Sequence, residues 1–344
     1  MRFISPGRAA GAAVLLVAVV LAVLYFVPSN GYYVFVPDRA HPLAPLVNVT
    51  GVHEMHDSGG VYFVDVRFRK ARLLEDLLGR PIGSGSTMVP VAAVLGTGTS
   101  EKEQQRIDLS EMAQSQKIAA ALALNRLGRR VKLVLPTVVI EGVEKDAPVA
   151  KVLRRGDRLL AVDGTRVRTV GGLHWLIAAH RPGDRLVLRF RRGSQVRSAT
   201  VRTIPDPSDR SQAVIGILVR ERGGSIGKLP VRVHIDTGGV GGPSAGLAFA
   251  LDLMEEFGQN VDRGYKVAAT GELSLDGSVV PIGAVKQKAI GAHEAGVDVF
   301  LTPAGENARE ARRYADGVRI IPVKTFPQAL HALATLPLKG RMNA

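Results

Sequence analysis

The sequence Gly241-Gly242-Pro243-Ser244-Ala245-Gly246-Leu247 places a serine between a glycine-rich loop and an amphipathic helix. The β-branched run from Val231 to Ile235 predicts a strand before this loop. Proline suits the first position of a helix, so we expect the helix to begin at Pro243. Its apolar stripe consists of Leu247, Leu251, Met254 and Phe257. Ser244 would then lie at the positive end of a helix, where an oxyanion is stabilised. The same pattern also fits a loop in which the serine only caps the helix.

A second segment, further along the chain, supplies a lysine. Thr270-Gly271-Glu272 precedes two short predicted strands joined by the turn Asp276-Gly277, and a helix is predicted from about Ala284. Helical periodicity puts Lys288 at the edge of the apolar stripe and Lys286 well outside it. We therefore expect Lys288 to be buried, and burial favours the neutral amine that takes a proton from a serine hydroxyl. The alternative is a lysine whose stem lies on the core while its charge reaches water.

Three linked motifs resemble the proteolytic domain of the Lon proteases: Gly242 to Gly246, Thr270 to Glu272, and Pro281 to Lys288. The resemblance covers residues 206–340 and implies an α/β (α+β) fold, serine endopeptidase activity and ring-like homo-oligomers. The segment Gly223 to Leu229 fails the phosphate-loop pattern in its spacing and in the missing hydroxyl after lysine. We therefore predict no nucleotide site and no other cofactor, and expect an ATP-independent enzyme.

The resemblance also implies roles for individual residues. Ser244 would be the nucleophile, Lys288 the general base, and Thr270 a supporting hydroxyl that orients the lysine. Many family members carry an acidic residue three positions before the serine, where this chain has Gly241. Ala284 also stands where the family usually has a glycine, which is a small-for-small change.

The middle of the chain, residues 131–205, resembles a β-rich PDZ domain. The resemblance rests on Ala147-Pro148-Val149-Ala150, on Gly156 to Gly164, and on a helix around Leu173 to Ile177. Such domains add an extended peptide, usually a free C-terminus, as an extra strand, which implies peptide or protein partners. The carboxylate-binding loop would fall around Pro136 to Ile140. The alternative is a spacer fold without a working groove.

The N-terminal sequence predicts where the protein works. Residues 9–27 are an apolar run close to the ~20 residues that cross a bilayer as a helix. Arginines within residues 1–8 favour a cytoplasmic N-terminus, and tyrosines after the run favour an anchor on the far side. We therefore expect a single-pass cell-membrane protein with its catalytic portion outside the cytoplasm. A cleaved signal peptide is the competing interpretation, with a weak cleavage site at Ser29-Asn30-Gly31.

Residues 28–130 form an extracytoplasmic region of unrecognised fold in this scheme. Within it, Tyr62 to Phe68 alternates like a half-buried strand, and an alanine-rich helix is predicted from Leu109 to Leu127. The 344-residue chain has a net charge of +14 and no cysteine, which excludes disulfides and thiol chemistry. Its basic residues lack the aromatic interleaving of nucleic-acid binders, so a solvated or membrane-facing basic surface is expected.

Two other patterns suggest different chemistry. His53-Glu54-Met55-His56 has its histidines three residues apart rather than four, so it predicts a surface loop and not a metal site. The pattern Gly242-x-Ser244-x-Gly246 also fits the nucleophile elbow of α/β-hydrolases, with Asp298 and His331 completing a triad. That elbow requires the strand to run almost directly into the serine, whereas a glycine-rich loop intervenes here.

The sequence thus predicts a membrane-anchored, ATP-independent serine endopeptidase with a Ser244-Lys288 dyad. Its PDZ domain would recruit extracytoplasmic peptides or unfolded proteins. Two alternatives remain: a non-catalytic PDZ membrane scaffold, and an esterase that uses Ser244, Asp298 and His331. A buried, neutral Lys288 argues against the scaffold, because an inactive domain does not need one.

Overall fold

The computed structural model describes residues 6–50, 59–95, 99–207 and 210–339, with side chains from residue 10 onward. Its elements form three consecutive groups along the chain. The first group is α1 (Pro6–Phe26), β1 (Pro28–Pro37), β2 (His41–Pro42), a 3-10 turn (Ala44–Leu46), β3 (Val47–Val49), β4 (Gly60–Phe63), β5 (Val66–Arg72), α2 (Leu73–Leu78), β6 (Thr87–Pro90), α3 (Val91–Leu95) and α4 (Glu101–Arg126). Strands β5, β1 and β6 form an antiparallel sheet in that order, with β5 at one edge.

Helix α1 occupies the segment predicted to cross a membrane at residues 9–27. It ends at Phe26, and β1 begins at Pro28. Among the described residues, no helix is both long and apolar enough to cross a membrane, so the predicted transmembrane helix is not supported.

The second group forms an antiparallel sheet in the order β12-β11-β9-β8-β15, with β10 paired to β9. Buried Leu186, Leu188 and Phe190 alternate with exposed residues along β11, as expected for a sheet with one covered face. Helix α5 covers that face. The elements are β7 (Leu133–Val134), β8 (Thr137–Val143), a 3-10 turn (Pro148–Lys151), β9 (Arg158–Val162), β10 (Thr165–Arg166), α5 (Val170–Ala178), β11 (Arg185–Arg192), β12 (Gln195–Arg202), β13 (Ile204–Pro205), β14 (Ala213–Val214), β15 (Ile217–Arg222) and β16 (Ser225–Ile226).

The third group completes a five-stranded sheet in the order β2-β4-β18-β21-β22, in which all but β2 run parallel. Both faces are covered: α4, α6 and α9 pack on one, and α7 and α8 on the other. Strand β21 is buried along its whole length, as central parallel strands are. The elements are β17 (Val233–Ile235), α6 (Gly246–Glu256), β18 (Lys266–Ala269), β19 (Glu272–Leu273), β20 (Val279–Val280), α7 (Val285–Glu294), β21 (Val299–Pro303), α8 (Glu306–Tyr314), β22 (Arg319–Val323) and α9 (Phe326–Ala334).

The first group contributes to the core of the third. Strand β4 pairs in parallel with β18, β3 pairs with β17, and α4 packs along α6 through Met112 and the buried alanines that follow it. The predicted single strand from Tyr62 to Phe68 is wrong. The chain leaves the large sheet after Phe63 and enters the small sheet at Val66, which leaves Asp65 at the break between β4 and β5.

The second and third groups are in direct contact. The Nε1–H group of Trp175, on α5, donates a hydrogen bond of 2.8 Å to the carbonyl oxygen of Val279. Val279 belongs to β20, which forms the predicted hairpin with β19. The hairpin follows directly after Thr270 and Gly271, so α5 lies against the chain segment that leads into the site described next.

Candidate active site

Ser244 lies in a tight turn two residues before α6. The helix begins at Gly246 rather than at the predicted Pro243, so Ser244 precedes the helix and remains half-buried. The turn is fixed from three sides. The Gly242 amide donates to the Asp108 carbonyl at 2.8 Å, the Ser115 hydroxyl donates to the Pro243 carbonyl at 2.9 Å, and the Gly271 amide donates to the Ser244 carbonyl at 2.7 Å.

Helix α7 carries Lys288 into contact with Ser244. The two side-chain atoms, Nζ and Oγ, are 2.6 Å apart, and Lys288 is only 4% exposed. Lys286 points elsewhere, towards the carbonyl oxygen of Ser86 at 3.3 Å, and remains half-buried. The helical periodicity therefore separates the two lysines correctly.

Thr270, at the end of β18, contacts both partners and is fully buried. Its Oγ1 atom lies 3.2 Å from the Nζ atom of Lys288. The same hydroxyl donates to the carbonyl oxygen of Ser244 at 3.2 Å. The threonine thus fixes the position of the lysine amine relative to the serine turn.

Burial lowers the pKa of Lys288 from 10.5 to about 8, because an ammonium ion loses its hydration in this position. The negative charge of Asp65 acts in the opposite direction and raises the pKa. A substantial fraction of Lys288 is therefore the neutral amine near pH 8. A neutral amine in contact with a hydroxyl is chemically able to accept its proton.

Asp65 is a member of this site that the sequence reading missed. Desolvation is the largest cause of its raised pKa, and its Oδ1 atom has no hydrogen-bond partner among the described residues. His41 lies 3.6 Å from that oxygen. A carboxylate inside an otherwise apolar stretch was the available signal, but the stretch was assigned to one continuous strand.

Asp38, His41 and Asp65 are the one group of acidic and histidine side chains close enough to share a metal ion within the described part of the chain. Asp38 already pairs with Arg67 at 3.0 Å, and we assign no metal here. The motif His53-Glu54-Met55-His56 lies outside the described residues.

The dyad opens into a cleft of about 920 Å³. Residues 64–70, which include most of β5, form one wall, and the start of α4 forms another. The glycine-rich loop 238–241 lies beside the serine, and Gly283 and Ala284 close the end near the lysine. The cleft is therefore built from all the segments that meet around the dyad, including one from the N-terminal region.

The triad of the esterase alternative is not assembled. Asp298 accepts hydrogen bonds from the Lys266 amide and from the Nζ atom of Lys339. His331 is exposed on α9, and neither residue lines the cleft that contains Ser244.

Comparison with known proteins finds two domain families in the chain. Residues 222–334 match the family model of the Lon protease (S16) C-terminal proteolytic domain, and residues 125–203 match that of the PDZ domain. The chain carries a Lon-type proteolytic domain. This domain follows a PDZ domain in a mixed α/β architecture, which confirms both resemblances.

The similar curated proteins include Lon proteases. The Lon protease of Chloroflexus aggregans is 37% identical over 115 residues, which are 31% of this chain and 14% of that protein. Lon protease 1 of Bacillus subtilis is 38% identical over 95 residues, 27% of this chain and 12% of that protein. The matches thus span a small part of these relatives' length.

Solved structures with similarity to this chain include two PDZ domains. One is the PDZ domain of an SdrC-like protein from Listeria monocytogenes, 24% identical, with a TM-score of 0.24. The match covers 26% of this chain and 92% of the Listeria monocytogenes chain. A second, from an SdrC-like protein of Listeria innocua, is 23% identical with a TM-score of 0.24 and covers 25% and 97% of the respective chains.

Proposed function

We propose that this protein is a serine endopeptidase in which Ser244 is the nucleophile and Lys288 the general base. The observation that carries the proposal is the 2.6 Å separation of Ser244 Oγ and Lys288 Nζ, with the amine removed from water. Removal from water matters because only the unprotonated amine accepts the serine proton. The Lon-type domain supplies the reaction class, and the geometry supplies the assignment of roles.

The reaction begins when the neutral Lys288 amine takes the hydroxyl proton of Ser244. The Oγ atom attacks the scissile carbonyl carbon, and the carbonyl oxygen becomes negatively charged. Lys288, now an ammonium ion, returns the proton to the departing amine, which leaves an acyl group on Ser244. Water then attacks the acyl carbon, with Lys288 again as base, and releases the second product.

The oxyanion would be held by backbone N–H groups of the serine turn. Among the described residues, neither the amide of Ser244 nor that of Ala245 donates to a backbone carbonyl. Both amides precede the first turn of α6, where the positive end of the helix dipole adds to their field. Thr270 acts through the lysine, and is therefore a positioning residue.

We propose peptides and unfolded proteins as substrates, cleaved without ATP. The cleft is lined by the edge strand β5, the start of α4 and the glycine-rich loop, and a free strand edge can pair with an extended peptide. The segment that comes nearest to a phosphate loop, Gly223 to Leu229, lacks the required spacing and hydroxyl. The PDZ domain would recruit the substrates.

We also propose that the protein works at a membrane surface, outside the cytoplasm. Val14, Leu15 and Leu16 of α1 are each at least 65% exposed, and a continuous exposed apolar surface marks a site of membrane or protein contact. Separation of membranes from soluble extract, followed by treatment of intact cells with an external protease, tests this location. Sedimentation of the purified protein tests the ring-like assembly implied by the family.

The proposed activity is tested by incubating the chain from Pro28 onward with casein, with and without ATP. We expect casein to be degraded equally in both conditions, and a Ser244→Ala variant to be inactive. A requirement for ATP would overturn the ATP-independent part of the proposal. Equal degradation by the Ser244→Ala variant would overturn the serine mechanism.

A further inference from the structure

The PDZ domain has a groove between β15 and α5. Strand β15 is the terminal strand of its sheet, and its free edge faces α5. Leu173 and Ile177 from the helix and Ile217 and Val219 from the strand line a space of about 280 Å³. A free strand edge beside an apolar helix face fits an extended peptide added as a further strand.

This groove does not lie at Pro136 to Ile140, where the sequence predicted the carboxylate-binding loop. That segment forms part of β8, and both edges of β8 are already paired, one with β9 and the other with β15. The free edge lies instead on residues 217–222, beyond the predicted domain end at residue 205. The turn that opens β15 is made at Gly216, whose φ angle of 71° favours glycine.

The charge of the groove is opposite to that of the protein. The chain has a net charge of +14, yet the described residues that line the groove include Glu144 and Asp206 and no lysine or arginine. Glu221 adds a third carboxylate at the other end, where its side chain accepts a 2.8 Å hydrogen bond from the Val170 amide at the start of α5. A carboxylate of the peptide would be repelled by negative charge at both ends of this groove, whereas a lysine or arginine side chain would be attracted to it.

We propose that this groove binds an extended, internal peptide segment in which apolar side chains are flanked by lysine or arginine, and not a free C-terminus. The apolar side chains enter the space between β15 and α5. The basic side chains lie near Glu144 at one end and near Glu221 at the other. This inference deepens the proposed peptidase function, since it names the segment by which substrates are recruited.

One end of the groove lies next to the proteolytic domain. The Glu221 end lies at the first turn of α5, and that turn packs on the β19–β20 hairpin. The packing is tight, because a Cβ atom on Gly171 would come within 2.6 Å of the Ser274 hydroxyl oxygen. A peptide added antiparallel to β15 has its N-terminal side at this end. The part of a substrate that precedes the bound segment is therefore led towards the catalytic domain.

The test measures binding to the Ser244→Ala chain, so that no cleavage occurs and failure of the peptidase proposal does not affect the result. The probe is a short fluorescent peptide of alternating valine and threonine, with a lysine near each end and an amidated C-terminus. Two matched peptides serve as controls. One carries glutamate in place of each lysine, and the other has no charged side chain and ends in a free C-terminal carboxylate. The Glu144→Gln and Glu221→Gln variants are compared with Glu141→Gln, which removes the same charge outside the groove lining.

We expect the lysine peptide to bind at least about fivefold more tightly than either matched peptide, and added salt to reduce the difference. Each groove variant should weaken lysine-peptide binding by about threefold or more, whereas Glu141→Gln should leave it unchanged. Equal binding of the lysine and glutamate peptides would overturn the proposal. So would tighter binding of the free-carboxylate peptide, or an equal effect of all three variants.

Discussion

The Nζ atom of Lys288 lies 2.6 Å from the Oγ atom of Ser244, on a side chain that is 4% exposed. Lys288 comes from helix α7 and Ser244 from the turn before α6, and Thr270 contacts both. The arrangement combines close approach with desolvation, and a serine-lysine mechanism needs both. The following predictions examine each part of it.

The activity should depend on pH through Lys288. Its pKa of about 8 lies below the ordinary value of 10.5, so the active neutral amine becomes the major form above pH 8. We expect kcat/KM for peptide cleavage to rise with pH and to level off above about pH 8 to 9. A flat profile between pH 6 and 9 would show that another group is the base.

Asp65 should set the position of that profile. Its negative charge raises the pKa of Lys288, so Asp65→Asn should lower the pKa and move the midpoint of the profile to lower pH. Glu141→Gln, which removes a charge from the PDZ domain, serves as the control and should leave the midpoint unchanged. A shift to higher pH in the Asp65→Asn variant would contradict the assigned direction.

Thr270 should act by positioning the lysine. Thr270→Val removes the hydroxyl that contacts Lys288 Nζ and Ser244 O, and we expect kcat to fall by about 10- to 100-fold with little change in KM. Thr270→Ser keeps the hydroxyl and should retain most of the activity. If the serine variant is as impaired as the valine variant, the methyl group and not the hydroxyl is what the site requires.

Lys288 should reduce the stability of the protein. Its folded-state pKa lies below the unfolded value, so the unfolded chain binds more protons and the free energy of unfolding is lowered below about pH 8. We expect Lys288→Met to raise that free energy by about 1 to 3 kcal/mol at pH 7. The gain should shrink as the pH rises from 8 to 10.5, and Lys286→Met should give no such gain. Denaturant titrations at several pH values measure both variants.

His331 should have no catalytic role. It is exposed on α9 and does not line the cleft, so His331→Ala should change kcat/KM by no more than about twofold. A loss of activity comparable to that of Ser244→Ala would revive the esterase-like triad with Asp298.

The sequence was sufficient to single out Ser244 and Lys288, which the structure brings into contact, because each lies in a local pattern. Ser244 follows a glycine-rich loop and precedes an amphipathic helix, and Lys288 is distinguished from Lys286 by helical periodicity alone. The hairpin after Thr270 is also a local feature, marked by Asp276-Gly277. Two element starts in these segments were misplaced: α6 begins at Gly246, since the serine turn extends the loop, and β17 begins at Val233 rather than Val231.

The contribution of the N-terminal region was not predictable in the same way. Strand β4 reaches its partner β18 across about two hundred residues of sequence, and no local pattern indicates that pairing. The alternation from Tyr62 to Phe68 continues across a break between two sheets, so Asp65 was read as an outward-facing strand residue. The carboxylate-binding loop was predicted around Pro136 to Ile140, because β15, which pairs with β8, comes from beyond the predicted domain end at residue 205.

The most direct test of the account compares the two lysines of α7. We would measure kcat/KM for an unstructured peptide substrate, without ATP, for the parent and for the Ser244→Ala, Lys288→Ala and Lys286→Ala variants. We predict that kcat/KM falls by at least about 10³-fold in Ser244→Ala and Lys288→Ala, and changes by less than about threefold in Lys286→Ala. Retained activity in Lys288→Ala, or an equal loss in Lys286→Ala, would contradict the serine-lysine mechanism.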